Sequence, residues 1–142
     1  MAFLLAGLND KITTYSDKDF GFKSYYLGDL CATTDEQVFI TIDYSLSSMM
    51  HNDGPHLFSF DGKKSQTIET PSDGIHVMTT DSKGNIWCST WRSGDILKYN
   101  NGRWSILNAF PAEEDNGIFC IKEAPDGKLW IGTGQGIYIV EV

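Results

Sequence analysis

Residues 74–87, Gly-Ile-His-Val-Met-Thr-Thr-Asp-Ser-Lys-Gly-Asn-Ile-Trp, are matched 43 residues later by residues 117–130, Gly-Ile-Phe-Cys-Ile-Lys-Glu-Ala-Pro-Asp-Gly-Lys-Leu-Trp. In both, an apolar run is followed by a glycine-bearing turn and then by a second apolar run carrying Trp87 or Trp130. Outward from this pair, short runs rich in β-branched and aromatic residues recur at 38–42, 57–60, 96–99, 104–107 and 137–140, with no long amphipathic helical stretch. Such runs favour a pleated, half-buried surface, so the class is all-β. Asp61-Gly62, Lys83-Gly84, Asn101-Gly102 and Asp126-Gly127 fall between runs, and each predicts a tight hairpin.

A tandem period in the low forties with four strands per unit is the signature of a propeller blade, which gains stability by stacking on its neighbours. In the middle unit the strands are predicted at 75–80, 85–90, 95–99 and 103–107, innermost first. An earlier unit aligns through 31–35, 38–43, 56–60 and 64–68. Its first hairpin reads two residues shorter, because Thr33 falls 46 residues before Thr79 while Phe39 falls 48 before Trp87. Its second connection, 44–55, is much longer than 91–94. The last unit offers three strands before Val142. The start of the chain, 3–8 and 11–15, has the form of a third and a fourth strand. The predicted organisation is therefore one partial β-propeller. Residues 1–24 complete a blade, 25–70 and 71–110 are blades, and 111–142 is a blade lacking its outer strand. With about 3.3 periods in 142 residues, two copies closing into six blades, a homodimer, is the expected assembly. The alternative is a fragment of a longer propeller, whose ends carry no such meaning.

Eleven Lys and Arg against nineteen Asp and Glu leave a formal charge of −8, which repels phosphate backbones and anionic membrane surfaces. Neither nucleic acid nor membrane is expected as a partner. The apolar opening, residues 1–8, has no basic flank and is cut off by Asn9-Asp10-Lys11, so it reads as a strand. Cys31, Cys88 and Cys120 are odd in number, widely spaced and outside any CxxC pair, which argues against a disulfide framework or a zinc site. They read as small buried apolar residues. Free cysteines without a signal segment favour the cytoplasm.

The pattern Asp-x-x-Gly-x-apolar-Trp followed by a small pair and a Gly-apolar strand resembles the two-component regulator propeller repeat. The residues that carry the resemblance are Asp126-Gly-Lys-Leu-Trp-Ile-Gly-Thr133 with Gly136-Ile-Tyr138, and Asp81-Ser-Lys-Gly84 with Trp87-Cys-Ser-Thr90. The unit at 31–68 is degenerate, with Phe39 in the Trp place. The resemblance covers about residues 25–142 and implies that Trp87, Trp130 and Phe39 pack between blades. Repeats of this type occur in extracellular sensor regions of hybrid histidine kinases, which look like glycan sensors. Similar folds act as lyases or protein-binding platforms. The repeat contains packing residues only, so no functional residue is carried over.

No nucleophile elbow, phosphate-binding glycine loop or metal signature is present; Gly132-Thr-Gly-Gln-Gly136 lies between strands, not before a helix. No cofactor or metal is expected. His51, Asn52, Asp53 and His56 cluster in the long connection, where Gly54-Pro55 interrupts them, and read as a solvated loop. His76 aligns with Phe119 and reads as a packed or channel-lining strand residue. Trp91 and Arg92 replace Gly134-Gln135 of the matching turn; an aromatic beside a guanidinium suits a sugar ring or a carboxylate. Trp91, Arg92, His51 and His56 are the candidate ligand-binding residues. The expected function is non-catalytic recognition or scaffolding of a protein or glycan. The alternative is a lyase- or lactonase-type enzyme at the channel.

Overall fold

A computed structural model describes residues 2–5 (backbone only), 12–22, 26–42, 56–71, 74–90, 95–107 and 117–142. An N-terminal hairpin pairs β1 (Ala2–Leu5) with β2 (Ile12–Tyr15), and one helical turn follows, α1 (Asp17–Phe20). The first four-stranded sheet is β3 (Leu27–Ala32), β4 (Val38–Ile42), β5 (Leu57–Phe60) and β6 (Ser65–Ile68). The second is β7 (Ile75–Thr80), β8 (Ile86–Thr90), β9 (Ile96–Asn100) and β10 (Arg103–Leu107). The third has three strands, β11 (Ile118–Glu123), β12 (Leu129–Thr133) and β13 (Gly136–Val140). Every sheet is an antiparallel meander, and the first strands β3, β7 and β11 lie side by side.

The three larger sheets share one local design. In each, the first strand is bulged near its start, between Leu27 and Leu30, Ile75 and Met78, and Ile118 and Cys120. A bulge frees a backbone N–H from the ladder. In the first two blades a hydroxyl on the next strand takes it, Asp29 N–H donating to Thr41 Oγ1 at 2.7 Å and Val77 N–H to Ser89 Oγ at 3.3 Å. The third blade has Gly132 at the hydroxyl position. The space a Cβ would enter there is filled by Cys120 Sγ, 2.6 Å away.

The first hairpins are also of one kind. Thr33, Asp81 and Ala124 each donate N–H to a carbonyl four residues on, at 2.9 Å in all three. Five residues separate Ala32 from Val38, and five separate Thr80 from Ile86, so the first hairpin is not two residues shorter than the second. Thr33 stands opposite Asp81, not Thr79. The shared Thr-Thr-Asp was misleading because it sits in different registers of two equal turns. At the position where Gly84 and Gly127 have positive φ, Glu36 adopts φ +64, so the turn survives without a glycine.

The blades stack through alternating faces. Between the first and second lie Cys31, Phe39 and Leu57 against Ile75, Met78, Ile86, Cys88 and Leu97. Trp87 and Ile96 of the second blade meet Ile118, Ile121, Leu129 and Ile131 of the third. Phe39 is buried and Trp87 is 3 % exposed, whereas Trp130, at the same place in the third blade, is 43 % exposed. Among the described residues no sheet lies against the face of Trp130, so its expected interblade position is not tested within this chain. Cys120 is exposed on that same flank, unlike Cys31 and Cys88, so the three cysteines are not equivalent buried sites.

The other flank of the first blade is covered. Phe20 of α1 and Phe22 pack on Phe58 at centroid distances of 5.1 and 4.9 Å, and Tyr15 meets Phe60 edge-on at 4.9 Å. The carbonyl of Phe20 accepts from Ser65 Oγ, much as that of Glu69, in the connection between β6 and β7, accepts from Trp104 Nε1. The N-terminal hairpin thus stands toward the first blade as outer strands of a preceding blade would.

Candidate functional site

Successive bulges place Gly28, His76 and Phe119 at one position on the three inner strands. Around them, Leu27, Gly28, Asp29, Ile75, His76, Val77 and Phe119 line a hollow of about 450 Å³ that draws on all three blades. The fold sites it at the end where inner strands begin and second strands finish, since Leu27 is paired with Ile42, Ile75 with Thr90 and Ile118 with Thr133. A larger hollow, about 660 Å³, lies along the outer half of the second blade among Asn85, Lys98, Asn100 and Arg103. The inner hollow is the better candidate because it gathers side chains from three elements around one point.

Its walls are held by specific bonds. Asp29 accepts N–H from Leu30 at 2.9 Å and from Met78 of the next blade at 2.8 Å, so its carboxylate ties two blades together. His76 Nδ1 lies 3.0 Å from the Ile118 carbonyl. A carbonyl only accepts, so Nδ1 carries the proton and orients the ring across the second and third blades. Phe119 is exposed and presents an open aromatic surface at the rim. The arrangement offers an aromatic face, an imidazole and a carboxylate edge over an apolar floor, a set suited to binding a ligand with one apolar and one hydroxyl- or amide-bearing face.

Burial pushes the Cys31 thiol up to about 12, with the Asp29 carboxylate adding to it, and burial likewise raises Cys88. Both thiols are kept protonated at neutral pH, and neither serves as a nucleophile. Among the described residues no group of three or more His, Cys, Asp or Glu is placed to hold a metal ion. No helix among them is long and apolar enough to cross a membrane, which leaves β-barrel spans unaddressed.

Of the sequence-expected ligand residues, His51, Trp91 and Arg92 lie outside the described residues. His56 is half-buried at the entry to β5, where its carbonyl accepts from Ile42 N–H at 3.0 Å. The strand ends from which 43–55 and 91–94 depart belong to the same end of the blades as the hollow. Asp29 and Phe119 were not singled out from sequence as ligand residues. The signal was present in the spacing, 48 residues from Gly28 to His76 and 43 on to Phe119, but an alignment anchored on Thr-Thr-Asp hid the first step.

Residues 113–135 match the family model of the two component regulator propeller. No curated protein is a significant match to the chain in sequence. The fold is similar to the extracellular domain of BT4673 from B. thetaiotaomicron, assigned to a one component system, with TM-score 0.67 and 12 % identity over 91 % of this chain and 17 % of that one. It is also similar to the extracellular domain of BT3049 from the same organism, assigned to a hybrid two component system, with TM-score 0.62 and 21 % identity over 84 % and 15 %. A catalytically inactive virginiamycin B lyase from Staphylococcus aureus, in a structure with quinupristin, gives TM-score 0.56 and 17 % identity over 82 % and 41 %. The chain thus spans under a fifth of the length of the two sensor domains and under half that of the lyase. These likenesses place the fold among β-propellers. The sensor neighbours are extracellular, so the cytoplasmic expectation gains no support from them.

Proposed function

We propose that the protein is a non-catalytic recognition module whose inner hollow receives a segment of a glycan or a protein. The observation that carries this reading is the convergence of Gly28, Asp29, His76 and Phe119 from three successive bulges. Phe119 stacks on the apolar face of the ligand, and His76 exchanges hydrogen bonds with its polar edge. The likeness to sensor propellers agrees with binding rather than turnover. The test is a thermal-shift and calorimetric screen of soluble neutral oligosaccharides and peptides against the wild type, Phe119→Ala and His76→Ala. A ligand that binds the wild type should bind Phe119→Ala about five-fold more weakly, the loss of one aromatic contact of roughly 1 kcal/mol. Equal affinity for both would remove the hollow from consideration.

A lyase reading rests on His76 lying in the hollow and on the fold shared with virginiamycin B lyase. Incubation with quinupristin, followed by mass spectrometry, decides it. Recognition without turnover predicts an intact compound after prolonged exposure.

A further inference from the structure

We propose that the outer edge of the second blade docks an acidic, extended segment of a partner protein, which lies along β10 with a carboxylate in the outer hollow. The register sets Lys98 opposite both Trp87 and Ser105, and Asn100 opposite Arg103. Side chains two residues apart on a strand share a face, so Lys98, Asn100, Arg103 and Ser105 stand on the face that carries Trp87. With Asn85 they line the hollow of about 660 Å³, and no Asp or Glu is among its described lining residues.

Two cations in that hollow stand without a counter-charge. Neither Lys98 nor Arg103 forms an ion pair among the described residues, where the pairs found are those of Lys128 with Asp126 and Glu141. Lys98 is held in place, its Nζ 5.2 Å from the centroid of the Trp87 ring. Asn85 accepts from Asn100 Nδ2 and donates to Asp81, whose buried carboxylate is taken up by donors from Lys83, Asn85 and Trp87. In a chain of formal charge −8, two unanswered cations are a local reversal of sign that selects a carboxylate-bearing partner. The Arg103 fork suits a planar carboxylate, with Lys98 as a point charge beside it.

The strand itself supplies the second half of the surface. β10 ends the order β10-β9-β8-β7, so alternate residues turn N–H and C=O toward an edge with no described strand beside it. On the face opposite Arg103 and Ser105 lie Trp104 and Ile106, and Ile106 is 56 % exposed. A strand added at this edge meets cations with one set of side chains and an apolar surface with the other, so the segment carries carboxylates at alternate positions and apolar residues between them. An acidic sugar would use only the hollow; the open ladder edge and Ile106 favour a peptide. The site lies where β8 begins, whereas the inner hollow lies where β8 finishes, and it does not rest on the recognition reading.

The test is fluorescence anisotropy of a labelled peptide alternating Glu and Val, titrated with the full chain, beside the same peptide with Gln for Glu. The Glu peptide should bind, more weakly as salt rises, and the Gln peptide should not. Arg103→Gln and Lys98→Gln should each weaken binding about five-fold, the scale of one partly exposed ion pair. Ile106→Glu sets a carboxylate against the segment and should weaken it at least as much. An unchanged circular dichroism spectrum and unfolding midpoint establish that each variant is folded; the exposed Arg103→Gln and Ile106→Glu carry the test if Lys98→Gln loosens Trp87. Slower amide exchange across 103–107 in the bound protein distinguishes strand addition from capture by side chains alone. Equal binding of the Gln peptide, affinity indifferent to the exposed variants, unchanged exchange in β10, or no binding would each overturn the proposal. So would an oligogalacturonate that competes at Arg103 and binds more tightly than the peptide, which would assign the hollow to acidic saccharides. None of these results bears on the inner hollow, for which the probes are neutral.

Discussion

Asp81 decides how the second blade holds its tryptophan. Its Oδ1 accepts N–H from Lys83 at 2.9 Å and Asn85 at 2.8 Å, and its Oδ2 accepts from Asn85 Nδ2 at 2.7 Å and Trp87 Nε1 at 2.8 Å. Burial alone would raise this carboxyl, but the donors from Asn85, Trp87 and Lys83 outweigh it and hold the pKa below the usual range. Asp81→Ala leaves those buried donors without an acceptor and should cost about 3 kcal/mol in denaturant unfolding. A carboxyl whose pKa is lowered by folding stabilises above its unfolded value, 3.8, and loses that contribution as the pH falls below it. The stability gap between wild type and Asp81→Asn should therefore narrow from pH 6 to pH 3. In the third blade Ala124 takes this place, and Trp130 lacks the anchor. Glu36 is the converse case. A non-glycine residue at φ +64 is strained, so Glu36→Gly should raise stability by about 0.5 to 1 kcal/mol, measured by the unfolding midpoint.

Among the elements, the hairpins were the most legible in the sequence. All four turn dipeptides lie at strand reversals, but only Asn101-Gly102 is a two-residue turn. Arg103 pairs directly with Asn100, and both turn residues have positive φ. Gly102→Val places a β-branched side chain in that region and should lower the melting temperature by several degrees, an effect of about 1 to 2 kcal/mol. The strands of the middle blade fall within a residue of their predicted bounds, because alternation and turn chemistry agree there. Two elements were not legible. The single turn α1 rests on a local capping box between Ser16 and Asp19 and on Phe20 filling the flank of the first blade. The start of β3 was missed because Leu27-Gly-Asp-Leu30 spans a bulge, which breaks the period-two pattern that identifies a strand.

For the whole molecule, the tandem period revealed the stacking of blades, and with it the burial of Phe39 and Trp87. The site was legible only in part, since it depends on the registers of three strands distant in sequence. The stack also sorts the thiols. Cys31 and Cys88 are sealed between blades with raised pKa values, so they should react with a disulfide reagent only on unfolding, at the rate of global opening. The proposed recognition hollow is built by three bulged inner strands. Amide and side-chain chemical shifts of the labelled protein, mapped during titration with the neutral oligosaccharide and peptide panel, locate binding directly. A ligand seated in the hollow perturbs signals centred on 27–29, 75–77 and 119. Perturbations centred on the outer hollow around Lys98 and Arg103, or none with any member of the panel, would contradict the proposal.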